Sequence, residues 1–295
     1  MTGLGAAMAF HRLEVADELM RRKADPAKGQ KGWGDKFSSA VEVGVIHGFW
    51  QGVDRLTGAW NVPLWTRMDR PANDLLFFSI PAVISIHNFR PDSDPHDIAA
   101  ARALDSRRIE NGLKTFDYLV CRHNLDIQAV NEQGKTLLSA AIDVVSGFYG
   151  DDGRVLRHLL KQGCDPNQEC IPAQTPSVQI IFSEKAEEAL AEIAGEDVVD
   201  FLGEDKTAQR AQFETTPLIY ACYIGHADLA AIYLEDGRTD PLYADHNGHD
   251  AFAALEAGRR ESSRPDSFDR IYSLMIAKVQ NQRGNVVVFS QPRPH

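Results

Sequence analysis

The sequence has few cysteines and no long apolar run, and it lacks the short motifs of several enzyme classes. Its four cysteines, at positions 121, 164, 170 and 222, are scattered, which favours a reducing cytoplasm over a disulfide framework. No stretch of about 18 apolar residues occurs, so we expect no membrane-spanning helix. Neither the nucleophile-elbow pattern G-x-S-x-G nor a phosphate-binding loop is present, which argues against those enzyme classes.

Basic residues are also fewer than acidic residues. The chain carries 31 Lys and Arg against 42 Asp and Glu, a formal net charge of −11. This balance argues against generic nucleic-acid binding and favours a basic partner. The first ten residues are weakly apolar but lack a basic n-region, so we expect no signal peptide. With 43% hydrophobic and 25% charged residues, the composition is that of a soluble globular protein.

The segment from Phe213 to Leu255 carries the clearest structural pattern. Thr216 and Pro217 suit the N-cap and the first position of a helix, and Gly225 can take the left-handed conformation that ends it. A second helix is predicted by an apolar stripe at i, i+3 and i+4, formed by Leu229, Ile232 and Tyr233. The segment therefore predicts two short helices followed by a turn.

The segment resembles the ankyrin repeat, whose signature T-P-L-H-x-A is matched at 216–221 except that Ile219 replaces the His. Equivalent anchor positions are Thr136, Thr175 and Asp250. The resemblance implies an all-α, ankyrin-like solenoid of about six or seven stacked helix-turn-helix units with inserted loops. It covers residues 1–282, is clearest at 131–255 and is degenerate at 1–120, while residues 283–295 are predicted to form an extended C-terminal tail.

Several details of the units follow from the same comparison. The first unit is predicted to have helices at 5–11 and 13–20, and a fifth unit is predicted to begin at residue 174. Residues 90–98 are predicted to be a loop, with a helix at 106–122 after it. Lys23 and Asn124 stand where the family has a helix-ending glycine, and Gly163 and Gly237 are both predicted to close a second helix in the left-handed conformation.

The resemblance implies a non-catalytic function in which another protein binds to the concave face and the hairpin tips. Carried onto this sequence, these surfaces comprise Asn131, Glu132, Asp143, Phe182, Tyr220, Tyr223, Asp245 and His246. Trp50 is added from an aromatic group at 33–65, which either fills space around irregular units or provides binding anchors. We therefore expect a protein partner, and no nucleic acid or membrane.

An acidic stretch at 184–205 contains nine acidic residues and one basic residue, Lys185. It is either a solvated helix face or a patch that steers a basic partner. One specific expectation is a bacterial protein with an immunity or escort role toward a basic toxin or effector. The alternative function is an enzyme whose active site is built in the insertions around residues 60–97.

No cofactor or metal site is predicted. Cys121 with His123, and Cys164 with Cys170, have no second well-spaced pair, so these thiols are expected to be structural. His226 follows a helix-ending glycine and is also expected to be structural.

Overall fold

The computed structural model describes residues 2–28, 30–31, 37–64, 71–80, 95–131, 134–146, 153–170, 215–261 and 265–287. These residues are mainly helical, which confirms the all-α prediction at this level. They also contain one antiparallel pair of two-residue strands, β1 (Gln30–Lys31) and β2 (Phe37–Ser38). Within the described ranges, no helix is both long enough and apolar enough to cross a membrane.

The chain divides into two compact units. Unit 1 comprises Met1–Asn131 and Gly147–His158, and unit 2 comprises Glu132–Ser146 and Leu159–His295. The helices of the first part of the chain are α1 (Gly3–Ala9), α2 (Leu13–Arg21), α3 (Ala40–Ile46), α4 (Trp50–Asp54) with a π-helix (Arg55–Ala59), α5 (Asp74–Ser79) and α6 (Pro95–His123). They are followed by α7 (Leu137–Ser146), α8 (Arg154–Gln162), α9 (Pro217–Tyr223), α10 (Ala227–Glu235), α11 (Ala251–Glu261) and α12 (Pro265–Val287).

Unit 1 begins with the helix pair that the sequence predicted. The hydroxyl of Thr2 accepts the N–H of Gly5 at 3.1 Å and so caps α1, which packs on α2 and α3. Lys23 ends the pair with φ 62°, and Asn124 ends α6 with φ 52°. Both residues thus adopt the left-handed conformation predicted for them.

Unit 2 repeats the same local chemistry. Thr136, Thr216 and Asp250 each accept the N–H of the residue three positions later, at 3.2, 3.3 and 2.8 Å. Pro217 lies at the start of α9, and Gly225 follows that helix with φ 69°, as predicted. His226 Nδ1 accepts the N–H of Leu229 at 3.2 Å and caps α10, which confirms its structural role.

Four aspartates form one recurring turn. The Oδ1 atoms of Asp25, Asp126, Asp165 and Asp240 each accept the backbone N–H two residues later, all at 2.9 Å. Such Asx turns redirect the chain after a helix and leave the other carboxylate oxygen for solvent or other donors. Two of these four aspartates lie in each unit, and each of them follows a helix within a few residues.

The core of unit 2 lies between α9 and its neighbours. Helix α9 packs on α10 and α11, and α10 packs on α7 and α12. Buried apolar side chains come from each of these helices, among them Ile142, Leu218, Leu229, Leu255 and Ile271. The Nζ atom of Lys278 on α12 donates to the carbonyls of Leu234 and Asp236 at 2.9 and 2.6 Å, which satisfies the C-terminal end of α10.

The loops that follow α8 and α10 are in direct contact. Asn167 Nδ2 donates to the Arg238 carbonyl at 2.9 Å, and its Oδ1 accepts the N–H of Asp240 at 3.2 Å. Cys170 and Thr215 exchange two backbone hydrogen bonds, each of 3.0 Å. The residues on either side of 171–214, Cys170 and Thr215, are therefore hydrogen-bonded to each other. The fifth unit predicted from residue 174 lies outside the described residues.

Two predictions about element boundaries were wrong. Residues 95–98 were predicted to be loop, but α6 begins at Pro95, where proline suits the first turn because the missing N–H is not needed. The tail was predicted to be extended from residue 283, but α12 continues to Val287. Extending an existing helix adds a hydrogen bond per residue without a new nucleation cost, which can outweigh the strand propensity of Val286 and Val287.

Of the two glycines predicted to be left-handed, only one is. Gly163 has φ 105°, whereas Gly237 lies outside the left-handed region and an added Cβ there would meet no atom within 4 Å. We therefore expect Gly163→Val to lower the free energy of unfolding by about 1–3 kcal/mol, and Gly237→Val to leave it nearly unchanged. Chemical denaturation of the two variants measures the difference, and equal midpoints would contradict it.

Tyr233 is fully buried, and no described residue makes a hydrogen bond with its hydroxyl. Burial raises the pKa of this phenol well above its usual value, so it stays protonated. Because a buried hydroxyl without a partner carries an uncompensated desolvation cost, Tyr233→Phe should stabilise the protein by about 1 kcal/mol. Tyr118→Phe is the matched control: its hydroxyl donates to Asp54 at 3.1 Å, so thermal melting should show a loss of stability.

Candidate partner-binding surface

The loop between α10 and α11 carries an ordered surface at one edge of unit 2. We call the group of Glu169, Asp240, Leu242, Tyr243 and His246 the tip patch. Most backbone N–H groups from Arg238 to His249 donate to an acceptor within this loop or in the loop after α8. The loop therefore has a defined conformation although its side chains reach the surface.

Asp245 is the internal support of this loop. Its Oδ1 accepts the N–H groups of Asn247 and His249 at 3.0 and 2.9 Å, and its Oδ2 accepts the hydroxyl of Thr215 at 3.0 Å. Gly248 completes the turn with φ 78°. Asp245 was predicted to contact a partner, but it is only 7% exposed. Both of its carboxylate oxygens accept hydrogen bonds from unit 2 itself, so the side chain is directed inward.

Glu169, in the loop after α8, joins that loop to the other residues of the tip patch. Its Oε1 accepts the Tyr243 hydroxyl at 3.1 Å, and its Oε2 accepts the backbone N–H of His246 at 3.3 Å. The Nδ1 of His246 also lies 2.7 Å from Oε2. Burial, followed by the Glu169 carboxylate, raises the pKa of Tyr243. The phenol is thus a fixed hydrogen-bond donor, and His246 is positioned by two contacts.

The tip patch exposes apolar surface on this fixed frame. Leu242 is 48% exposed and Tyr243 is 38% exposed. Large apolar side chains held rigidly at a surface can bind a partner with a small loss of conformational entropy. The residues predicted from the sequence include His246 but not Leu242 or Tyr243. The available signal was the Asp240-Pro241 turn, which places the two residues after it at the tip.

Tyr220 is not available to a partner. It is 3% exposed and lies in α9, which packs against both α10 and α11. Tyr220 was predicted to line a binding face, but in this structure its side chain is buried in the core of unit 2. Tyr223, one turn later on α9, is half-buried. Replacing Tyr220 would test the core of unit 2 and not a contact surface.

The remaining predicted residues are divided between unit 1 and the undescribed part of the chain. Trp50 is half-buried in α4, with its ring centroid 6.2 Å from that of Tyr118. Asn131 is half-buried in the loop after α6. Asp143 lies in α7, but its side chain is outside the described part, as are Glu132, Phe182, the acidic stretch 184–205, Trp33, Trp65 and most of residues 60–97.

A polar cluster in unit 1 surrounds the Tyr118 hydroxyl. This hydroxyl lies 3.1 Å from Asp54 Oδ1, 3.2 Å from the Thr57 hydroxyl and 3.3 Å from His123 Nε2. Burial raises the pKa of Tyr118 and lowers the pKa of His123. Both groups are therefore neutral at pH 7, and the cluster joins α6 to the π-helix through hydrogen bonds.

Three of the four cysteines have the character of core residues, whereas Cys121 on α6 is exposed. Cys164, Cys170 and Cys222 are buried, and burial raises the pKa of the Cys164 thiol to about 12. A thiol with such a pKa is neither a ready nucleophile nor a thiolate ligand at neutral pH. Among the described residues, no three His, Cys, Asp or Glu side chains are grouped so that they could hold a metal ion.

Comparison with known proteins adds no relative to this description. No protein-family model matches the chain, and no curated protein matches it significantly. What the tip patch can do is therefore inferred from the geometry and chemistry of its own residues.

Proposed function

We propose that this chain is a divergent ankyrin-like solenoid that binds another protein through the tip patch of unit 2. The observation that carries the proposal is the combination of exposed apolar side chains, Leu242 and Tyr243, with a loop whose backbone is held by internal hydrogen bonds. Interfaces of this kind gain affinity because little flexibility is lost on binding.

The ankyrin-like arrangement is supported by the recurrence of three local devices. Hydroxyl or carboxylate caps precede the first helix of several pairs, left-handed residues end helices, and aspartate turns follow the second helices. Direct contact between the loops after α8 and α10 is what successive stacked units require, because each unit packs only on its neighbours. In such an array the tip patch lies on a hairpin tip, a surface that the resemblance assigns to binding.

Within the tip patch, Leu242 and Tyr243 act as anchors and His246 as a polar contact. Glu169 holds the Tyr243 ring in place by accepting a hydrogen bond from its hydroxyl, and the exposed parts of Tyr243 and Leu242 contact the partner. Aromatic anchors at the centre of an interface commonly contribute roughly 2 kcal/mol or more when truncated. Binding to this rigid surface then requires no rearrangement of unit 2.

The test uses a photoreactive benzophenone amino acid at position 242 and, as a matched control, at Ala253. Ala253 is also exposed and also in unit 2, but it lies on α11 and is not part of the tip patch. After irradiation in the native lysate, we expect an adduct of discrete mass from position 242 and none of that mass from position 253. Equal adducts from both positions, or none from either, would show that the tip patch is not a binding surface.

A second measurement separates binding from folding. Leu242→Ala removes an exposed side chain and should leave the melting temperature unchanged, because surface substitutions away from caps and cores usually alter stability by less than about 0.5 kcal/mol. The partner identified by the crosslink should dissociate faster from this variant than from the parent chain. Unchanged dissociation in surface-based kinetics would remove Leu242 from the interface.

A further inference from the structure

We infer that the tip patch takes a short basic segment of its protein partner, in which an apolar side chain is flanked by Lys or Arg. This inference rests on the proposed function and specifies the chemistry of the partner. It is carried by the placement of carboxylates beside Leu242 and Tyr243, and the acidic stretch at 184–205 is not needed for it.

The two loops that meet at the tip patch are strongly acidic. Residues 163–170 and 236–249 together contain five carboxylates, at positions 165, 169, 236, 240 and 245, and one guanidinium, Arg238, so that their sum is −4 with neutral histidines. Arg238 is already bound to Asp236, with Nε and Nη2 at 3.0 and 2.8 Å from its two oxygens. The buried Asp245 is used within the loop. Asp165, Glu169 and Asp240 are the other carboxylates of the two loops.

Hydrogen bonds place these charges next to the apolar anchors. Asp240 Oδ1 accepts the N–H of Leu242, and Asn167 links Asp240 to the turn formed by Asp165. Glu169 Oε1 accepts a hydrogen bond from the Tyr243 hydroxyl, which puts a second carboxylate at the end of the Tyr243 ring. Leu242 and Tyr243 are thus flanked by negative charge. A partner without basic residues would bring uncompensated carboxylates into the interface, which opposes binding.

Two charge-only substitutions test the inference. Asp165→Asn and Asp240→Asn keep the side-chain oxygen that accepts the turn N–H, so the loop conformation is retained while two charges are removed. The matched control is the pair Asp25→Asn and Asp126→Asn, because these aspartates form the same turn at the same 2.9 Å distance in unit 1. Both double variants change the net charge by the same amount.

The probe is a phage-displayed library of random linear peptides selected against the immobilised full chain. We expect the enriched peptides to carry an apolar residue flanked by Lys or Arg. Their affinity should fall about three- to tenfold for the Asp165→Asn/Asp240→Asn variant, with a smaller effect at high salt, and should be unchanged for the control variant. The Leu242→Ala variant should also weaken these peptides.

Several results would overturn the inference: no enrichment, enriched peptides without basic residues, or equal loss of affinity in the two double variants. These results are distinguishable from a failure of the proposed function, because crosslinking at position 242 does not depend on the charge of the partner. A crosslinked partner together with non-basic peptides would retain the binding surface and reject the basic segment.

Discussion

Gly258→Ala should destabilise unit 2 by about 3 kcal/mol or more, a larger loss than expected for the other single substitutions considered. A Cβ atom at this position would overlap the carbonyl oxygen of Tyr223 and come within 2.8 Å of its carbonyl carbon and 3.0 Å of Phe268 Cε1. The oxygen belongs to the backbone at the end of α9, so it cannot rotate away as a side chain could. The methyl group can be accommodated only if α11 moves off α9, which costs packing along the whole contact.

The control is Gly58→Ala in the π-helix, where an added Cβ meets no atom within 4 Å. The intrinsic preference of helices for alanine over glycine, about 1 kcal/mol in an α-helix, favours this change and opposes the loss at Gly258. Denaturant unfolding followed by circular dichroism measures both variants. A Gly258→Ala variant with the midpoint of the parent would show that α11 and α9 are not in the contact described.

Replacing residues 171–214 by Asn-Gly should leave unit 2 folded while it removes most of the charge of the chain. The removed segment contains ten acidic and three basic residues, which is −7 of the total of −11, so the shortened chain has a formal charge of −4. Cys170 and Thr215 form a narrow pair that exchanges both backbone hydrogen bonds. This is the pairing that a two-residue type I′ hairpin joins, and Asn-Gly is its preferred sequence.

The expected result is a single cooperative thermal transition and a marked shift to lower salt in anion-exchange elution. If the natural partner is basic, its association rate at low salt should fall by roughly tenfold, because long-range attraction scales with net charge. A Gly-Gly-Ser-Gly-Gly junction serves as the control, since it closes the same gap without demanding one turn type. If both shortened chains fail to fold, residues 171–214 are required for the fold.

Local chemistry made much of this fold predictable. A cap such as Thr216 with Pro217, or the left-handed closes at Gly163, Gly225 and Asn124, depends on one or two residues whose preference is strong whatever the neighbours are. The all-α class and most helix positions followed from these signals and from apolar spacing. Gly237 shows the limit, because a glycine permits the left-handed conformation without requiring it.

Predictions that depended on packing between helices succeeded less often. The sequence of α9 alone did not show whether Tyr220 is exposed to a partner or buried, because large residues occur on both sides of that helix. Asp245 and His246 are adjacent in sequence, yet one supports the loop and the other reaches the surface. Threonine spacings also predicted a unit beginning at residue 174, which lies outside the described residues, and the hydrogen bonds of Asn167 join the loops after α8 and α10 directly.

The contact of Lys278 with α10 has a consequence for how unit 2 opens. The ammonium group donates to the last carbonyls of α10, and Gln282 Nε2 lies 3.4 Å from the Thr239 carbonyl, so α12 is fastened across the end of its neighbour. If α12 undocks, these carbonyls lose their donors, so the end of α10 should fray when α12 leaves. We therefore expect the end of α10 and helix α12 to exchange hydrogen for deuterium as one cooperative segment. Docking of α12 would then also stabilise the loop after α10, which carries the tip patch.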